Sequence, residues 1–119
     1  MAYTSGKIAV ITGAGSGIGR ALATQLNREG CELYLSDVNE AGLAETLAQL
    51  ERPEVAADTR IVDVADKHAV HSWARDIEAQ RGSVDIVVNN AGVAYGATVA
   101  ESDYEHVEWL ININLWGVI

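Results

Sequence analysis

Residues 13–19, GAGSGIG, hold four glycines in seven positions and constrain the fold of this chain more than any other segment. They directly follow residues 7–12, a nearly continuous apolar run of the kind that forms a parallel strand buried on both faces. From Ile18 onward the pattern is helical, because Ile18, Leu22 and Leu26 recur every four residues. A strand that enters a helix through a glycine loop is typical of the first βαβ unit of an α/β fold.

The rest of the chain continues this alternation of strands and helices. Three further strands are predicted, at residues 32–37, 59–64 and 84–89. A helix is predicted after each of them. The first has an apolar stripe of Leu43, Leu47 and Leu50, and the second has one of Val70, Trp73, Ala74 and Ile77. The last predicted helix begins near Ser102 and Asp103. The alternation predicts βαβ units, a parallel sheet and right-handed crossovers. We expect residues 1–119 to form one layered α/β domain.

The charge balance narrows the possible partners. The 119 residues carry 17 Asp and Glu against 8 Lys and Arg, a formal net charge of −9 at pH 7. Binding to nucleic acid or to an anionic membrane surface needs clustered Lys and Arg, so we expect neither partner. No apolar run approaches the roughly 20 residues that span a bilayer. The single cysteine, Cys31, cannot form an internal disulfide, and we expect a cytoplasmic protein.

Two histidines, His68 and His71, stand three residues apart on the third predicted helix, which is a spacing compatible with metal binding. No cluster of carboxylates or cysteines converges on them in the sequence. A solvated helix face is therefore favoured, and we expect no metal.

The glycine loop suits the binding of a pyrophosphate group. Glycine permits positive φ and lacks the Cβ atom that would keep a phosphate away from the backbone, and the following helix N-terminus presents free N–H groups. Asp37 ends the second predicted strand 18 residues after Gly19, where a carboxylate accepts hydrogen bonds from an adenosine ribose. Its charge would repel a 2′-phosphate, and neither Val38 nor Ser16 supplies a cation, so we predict NAD rather than NADP. A solvated or helix-capping carboxylate is the alternative for Asp37.

Four motifs, in order along the chain, resemble those of the short-chain dehydrogenases/reductases. They are TGxxxGIG over residues 12–19, Asp63-Val64 at the end of the third predicted strand, NNAG over residues 89–92 and NLWG over residues 114–117. The resemblance implies a cofactor site of the following residues: Gly13, Ser16, Gly17, Ile18 and Gly19 around the pyrophosphate; Asp37 on the adenosine ribose; Asp63 and Val64 at the adenine; and Asn90, Ala91 and Gly92 toward the nicotinamide ribose. It makes Asn89 a structural residue that ties neighbouring strands together. It also implies a doubly wound parallel sheet, Rossmann-like, with the strand order 3-2-1-4-5. Residues 1–119 would then be one dinucleotide-binding domain, truncated after the fourth strand and its following helix.

The last predicted helix carries a polar residue on an apolar face. That face has apolar residues at i, i+3, i+4 and i+11, which are Val107, Leu110, Ile111 and Val118. Asn114 falls on the same face at i+7, so it is predicted to point into the sheet. The resemblance gives Asn114 a catalytic role, in which it holds a water of the proton relay. A core asparagine bonded to nearby backbone is the alternative.

The opposite face of this helix is also apolar, through Trp109, Ile113 and Trp116. A helix that is apolar on both sides is normally buried on both sides. We therefore expect a homo-oligomer that forms through this helix.

The resemblance implies an NAD-dependent oxidoreductase that moves hydride between nicotinamide and a secondary alcohol or ketone. The family's reaction also uses a serine, a tyrosine and a lysine, which in family order follow Asn114. This chain reaches Ile119 without them, so we expect the chain as given to be inactive by itself. The alternative, from another class, is a catalytically silent NAD(H)-binding module that regulates or scaffolds a partner.

Overall fold

The computed structural model describes residues 5–90, which form four strands and three helices in strict alternation. Their order is β1 (Ile8–Thr12), α1 (Gly17–Arg28), β2 (Glu32–Asp37), α2 (Glu40–Gln49), β3 (Ala57–Ile61), α3 (Lys67–Arg81) and β4 (Ile86–Asn89). The strands form one sheet in the order β3-β2-β1-β4, and every pairing is parallel. The predicted α/β class, the parallel sheet and the order of the first four strands are confirmed.

Both faces of the sheet are covered by helices, as a doubly wound fold requires. Strand β2 shows this best, because successive side chains point to opposite faces. Leu33 and Leu35 lie in a core cluster with Ala23 of α1 and Leu43 of α2. The second cluster combines one residue of β2, one that follows β3 and three of α3, which are Tyr34, Val62, Val70, Trp73 and Ile77. The three consecutive apolar residues of β2, at positions 33–35, are therefore explained by burial on two sides.

Two predicted helix stripes need correction. Ala74 is exposed, so α3 buries only Val70, Trp73 and Ile77 of its predicted stripe. Leu47 is 37% exposed, and the buried face of α2 is formed by Gly42, Leu43 and Thr46 instead. The physical reason is that α2 turns this small, partly polar face toward the glycine loop, where the Thr46 hydroxyl donates to the Ala14 carbonyl at 2.7 Å.

Several sequence predictions lie outside the described residues. These are the cofactor residues Ala91 and Gly92, the catalytic candidate Asn114, the last helix and its proposed contact residues Trp109, Ile113 and Trp116. Within residues 5–90, no helix combines the length and the apolar character needed to cross a membrane.

Candidate functional site

A groove of about 500 Å³ opens at the carboxyl end of the sheet. Its lining combines the glycine loop, the end of β2, the segment after β3 and the end of β4, and consists of Gly13, Ser16, Gly17, Ile18, Asp37, Val38, Val62, Asp63, Val64 and Asn90. Eight of the eleven cofactor residues expected from the sequence are in this set. Of the other three, Gly19 is buried next to the groove, and Ala91 and Gly92 lie outside the described residues.

The glycine loop depends on glycine for two separate reasons. Gly13 and Gly17 adopt φ values of +65° and +54°, in the left-handed region that L side chains rarely occupy. Gly19 has no room for a side chain, because a Cβ atom there would lie 2.1 Å from the Gly13 carbonyl oxygen and 2.7 Å from Asn90 Nδ2. The start of α1 therefore packs directly on the loop backbone.

The N-terminus of α1 is left open toward the groove. Its N-cap residue, Ser16, makes no side-chain capping bond, and the first turn of α1 contains no acidic residue. By contrast, Asn39 caps α2 and Asp66 caps α3 through their own side chains. The first N–H groups of α1 lack intrahelical acceptors, so they present a partial positive charge to the space beside Ser16 and Gly17.

Asp37 ends β2 and faces the same groove. Its Oδ2 accepts a hydrogen bond from the Gly15 N–H at 2.9 Å, and its Oδ1 accepts one from the Asn39 N–H at 3.0 Å. Each carboxylate oxygen can accept a further bond, and the side chain is half-buried. Asp37 therefore orders the glycine loop and still offers acceptors to a ligand. None of the described residues that line the groove is Lys or Arg.

The Asp63 and Val64 pair stands beyond the strand that was predicted to contain it. Strand β3 ends at Ile61, and the chain continues beside β2 through one more bond, from the Val62 N–H to the Asp37 carbonyl at 3.1 Å. Asp63 then makes a local turn, in which its Oδ1 accepts from the Ala65 N–H at 2.9 Å. The prediction that the third strand reaches Val64 is wrong, although both residues of the motif line the groove.

Asn89 has the structural role that was expected for it. The Thr12 hydroxyl of β1 donates to Asn89 Oδ1 at 3.1 Å, so the ends of β1 and β4 are tied together. The Nδ2 of the neighbouring Asn90 instead donates to the Gly13 carbonyl of the glycine loop at 3.4 Å. One asparagine thus fixes the sheet, and the next one reaches the groove.

Three contributors to this region were not predicted as site residues. Val38 and Val62 line the groove, and 62% of Val38 is exposed. The signal for both is their position, since each lies beside a predicted site residue at a strand end. Arg20 holds the outer side of the glycine loop, and no local pattern in the sequence indicates it, because its partners are up to 26 residues away.

The remaining chemistry-bearing groups do not form a second centre within the described part of the chain. Cys31 is fully buried, and desolvation, aided by the negative charge of Asp85, raises the pKa of its thiol to about 11. His68 is exposed and His71 half-buried on α3. Among residues 5–90, no group of three or more His, Cys, Asp and Glu side chains is placed to hold a metal ion.

Comparisons with known proteins agree on one family. A family model described as short chain dehydrogenase matches residues 7–119. The Mycobacterium tuberculosis protein named "Putative oxidoreductase SadH" is 46% identical over 121 residues, which cover 100% of this chain and 43% of SadH.

Solved structures give the same result. Carveol dehydrogenase from Mycobacterium avium, in complex with NAD, is 31% identical with a TM-score of 0.71, over 99% of this chain and 47% of that one. L-sorbose reductase from Gluconobacter frateurii, complexed with NADPH and L-sorbose, is 32% identical with a TM-score of 0.68, over 95% of this chain and 43% of that one. The chain thus spans less than half the length of these relatives.

Proposed function

The chain belongs to the short chain dehydrogenase family, and from this membership we propose that it forms the cofactor-binding part of an NAD-dependent oxidoreductase. The substrate class that we propose is a secondary alcohol or ketone, and the bound nicotinamide supplies the hydride chemistry. Because the chain spans less than half of its relatives, the activity of the whole protein is part of this proposal. The oxidoreductase and dehydrogenase names of the relatives favour an enzyme over a silent binding module.

The described residues fit a dinucleotide. An anionic diphosphate is complementary to the uncapped N-terminus of α1, and Gly17 carries no Cβ atom that would hold it away from the backbone. In this proposal the N–H groups of Ser16, Gly17 and Ile18 hold the diphosphate. Gly19 keeps α1 close enough to the loop for that contact.

The adenosine half is assigned to the other side of the groove. Asp37 would accept hydrogen bonds from the ribose hydroxyls with its remaining lone pairs. Asp63 and Val64 would contact the adenine. Asn90, together with Ala91 and Gly92, would extend the site toward the nicotinamide ribose.

The preference for NAD rests on the charge of Asp37, and this is the observation that carries the proposal. A 2′-phosphate placed at the ribose would be repelled by about 3 kcal/mol per unit charge at roughly 5 Å and an effective dielectric constant of 20. Solvent reduces this figure because the carboxylate is only half-buried. No Lys or Arg among the described lining residues offsets it. We expect at least about tenfold tighter binding of NADH than of NADPH.

Two parts of the proposal concern residues beyond 90. Asn114 would hold a water of the proton relay that exchanges a proton with the substrate oxygen. The second apolar face of the last predicted helix, with Trp109, Ile113 and Trp116, would pair two subunits.

The test is a titration of the full-length protein with NADH and NADPH, followed by tryptophan fluorescence. The most informative variant is Asp37→Asn, which removes the charge and keeps one acceptor oxygen, so that only one of the Gly15 and Asn39 N–H groups retains its partner. It should narrow the preference for NADH, whereas Asp58→Asn, an exposed carboxylate one strand away, should not. Tighter binding of NADPH by the unaltered protein would contradict the NAD assignment. Failure to bind either nucleotide would contradict the proposed function itself.

A further inference from the structure

The backbone of Ala14 and Gly15 is fully engaged by the protein. The Ala14 N–H donates to the Ser36 carbonyl at 2.9 Å, and the Gly15 N–H donates to Asp37 Oδ2 at 2.9 Å. Their two carbonyls are held from the opposite direction, as described next. Since both N–H groups donate within the protein, neither is left to donate to a phosphate. The loop must bind through the peptide groups that follow.

Arg20 and Thr46 hold the two carbonyls. The Thr46 hydroxyl donates to the Ala14 carbonyl at 2.7 Å, and Arg20 Nη2 donates to the Gly15 carbonyl at 2.5 Å. The same guanidinium is fixed by α2, because its Nε donates to Thr46 Oγ1 at 3.0 Å and its Nη2 to the Gly42 carbonyl at 3.1 Å. Only 23% of the Arg20 side chain is exposed. A planar guanidinium group with this many hydrogen-bond partners has little freedom to move.

The space around the Gly15 carbonyl supports the same arrangement. A Cβ atom on Gly42 would lie 2.6 Å from that oxygen, so α2 approaches the loop backbone directly. Helix α2 therefore packs against the outer side of the glycine loop, and Arg20 forms hydrogen bonds to both.

The planarity of the peptide bond transmits this contact to the ligand side. The Gly15 carbonyl and the Ser16 N–H belong to one trans peptide group, in which they point in opposite directions. A guanidinium that holds the carbonyl toward α2 therefore turns the Ser16 N–H away from α2. If the carbonyl were released, this peptide group could rotate and the N–H would lose its fixed direction.

We infer that Arg20, held by Thr46, is a positioning residue for diphosphate binding, which it serves by fixing the Gly15–Ser16 peptide group so that the Ser16 N–H meets a phosphate oxygen. This inference rests on the proposed function. It assigns Arg20 no contact with the cofactor. Loss of the Arg20 or Thr46 contacts should therefore weaken the binding of ligands that carry a diphosphate. The binding of adenosine should not change, because it depends on Asp37 and its neighbours.

The test compares ADP with adenosine, and NADH as a check, by calorimetric titration of the full-length protein. Arg20→Met keeps a long side chain of similar size but removes the guanidinium group. Thr46→Val removes the hydroxyl without any change of charge. Both variants should bind ADP and NADH about tenfold more weakly, which corresponds to one lost hydrogen bond to a charged group, while adenosine affinity changes less than about twofold. Thr46→Ser restores the hydroxyl and should restore ADP binding.

Arg28→Met is the matched control, because Arg28 lies on the same helix and pairs with Glu51 instead of the loop. It should bind ADP like the unaltered protein. The inference is overturned if ADP and adenosine are weakened equally, if neither changes, or if only Arg20→Met has an effect, which would indicate charge rather than position. If Thr46→Val lowers the stability of the protein, the ADP and adenosine affinities of Arg20→Met alone still test the first two of these outcomes. An unaltered protein that binds no NADH would refute the proposed function and the inference with it, whereas normal NADH binding with unaffected variants refutes the inference alone.

Discussion

Replacement of Gly19 by alanine tests the close packing of α1 on the glycine loop. The added Cβ would lie 2.1 Å from the Gly13 carbonyl oxygen and 2.7 Å from both the Gly13 carbonyl carbon and Asn90 Nδ2. The first distance is roughly 1 Å shorter than real Cβ atoms tolerate, and the obstacle is backbone, which cannot rotate away. Helix α1 must therefore withdraw from the loop.

The expected cost combines two opposing effects. Overpacking of a tight interior costs about 1–3 kcal/mol, and a clash with backbone belongs at the upper end of that range. Alanine also favours the helix over glycine by about 1 kcal/mol. The net expectation for Gly19→Ala is a loss of about 2 kcal/mol in the free energy of unfolding, together with strongly weakened NADH binding because the groove is distorted.

Urea unfolding and NADH titration of the full-length protein measure both quantities. Gly82→Ala is the control, since Gly82 ends α3 with φ +80°, and its Cβ would meet nothing within 4 Å. That variant should lose about 1–3 kcal/mol from backbone strain at Gly82 and should bind NADH normally. A Gly19→Ala protein with unchanged stability and unchanged NADH affinity would refute the packing argument.

Two further predictions concern groups away from the loop. Thr12→Val removes the hydroxyl that donates to Asn89 Oδ1 and should lower the free energy of unfolding by about 1–2 kcal/mol, whereas Thr24→Val, which loses only a bond to its own helix, should change it by less than about 0.5 kcal/mol in the same urea experiment. Because burial raises the pKa of Cys31 from 9.0 to about 11, the folded state favours the neutral thiol, and the resulting stability is present below pH 9 and lost as the pH rises toward 11. The unaltered protein should therefore lose about 2 kcal/mol more than Cys31→Ala between pH 8 and 11, and equal losses in the two proteins would contradict a buried neutral thiol.

The sequence predicted the elements whose signals are local. Strand β2 was predicted with its observed bounds, Glu32–Asp37, and its apolar residues 33–35 stand between Gly30 and the terminal aspartate. The buried face of α3 was predicted in its main residues by helical spacing, and Gly82 ends that helix with positive φ. These features depend on residues that are close in sequence.

The errors arise where a distant partner decides the outcome. Strand β3 stops at Ile61 because its partner β2 ends at Asp37, with which Ile61 is in register. After one more bond, from the Val62 N–H to the Asp37 carbonyl, the chain through Val64 has no strand left to pair with. Leu47 was expected in the core, but α2 presents Thr46 and Gly42 to the loop instead.

The site was predicted more fully on its ligand side than on its supporting side. The glycines, Asp37 and Asn90 belong to motifs with a recognisable spacing, and the structure brings them to one groove. Arg20 was missed because an arginine on a helix is ordinarily expected to be exposed to solvent. Only the fold brings it to the Gly15 carbonyl and to Thr46.

The central claim is that the backbone after Gly15 receives the diphosphate and Asp37 receives the adenosine ribose. The most direct measurement is a crystal structure of the full-length protein with NADH. The account predicts phosphate oxygens within hydrogen-bond distance of the Ser16 and Gly17 N–H groups, and ribose hydroxyls on the Asp37 carboxylate. A nucleotide bound with its phosphates away from residues 13–19, or with its ribose out of reach of Asp37, would contradict it.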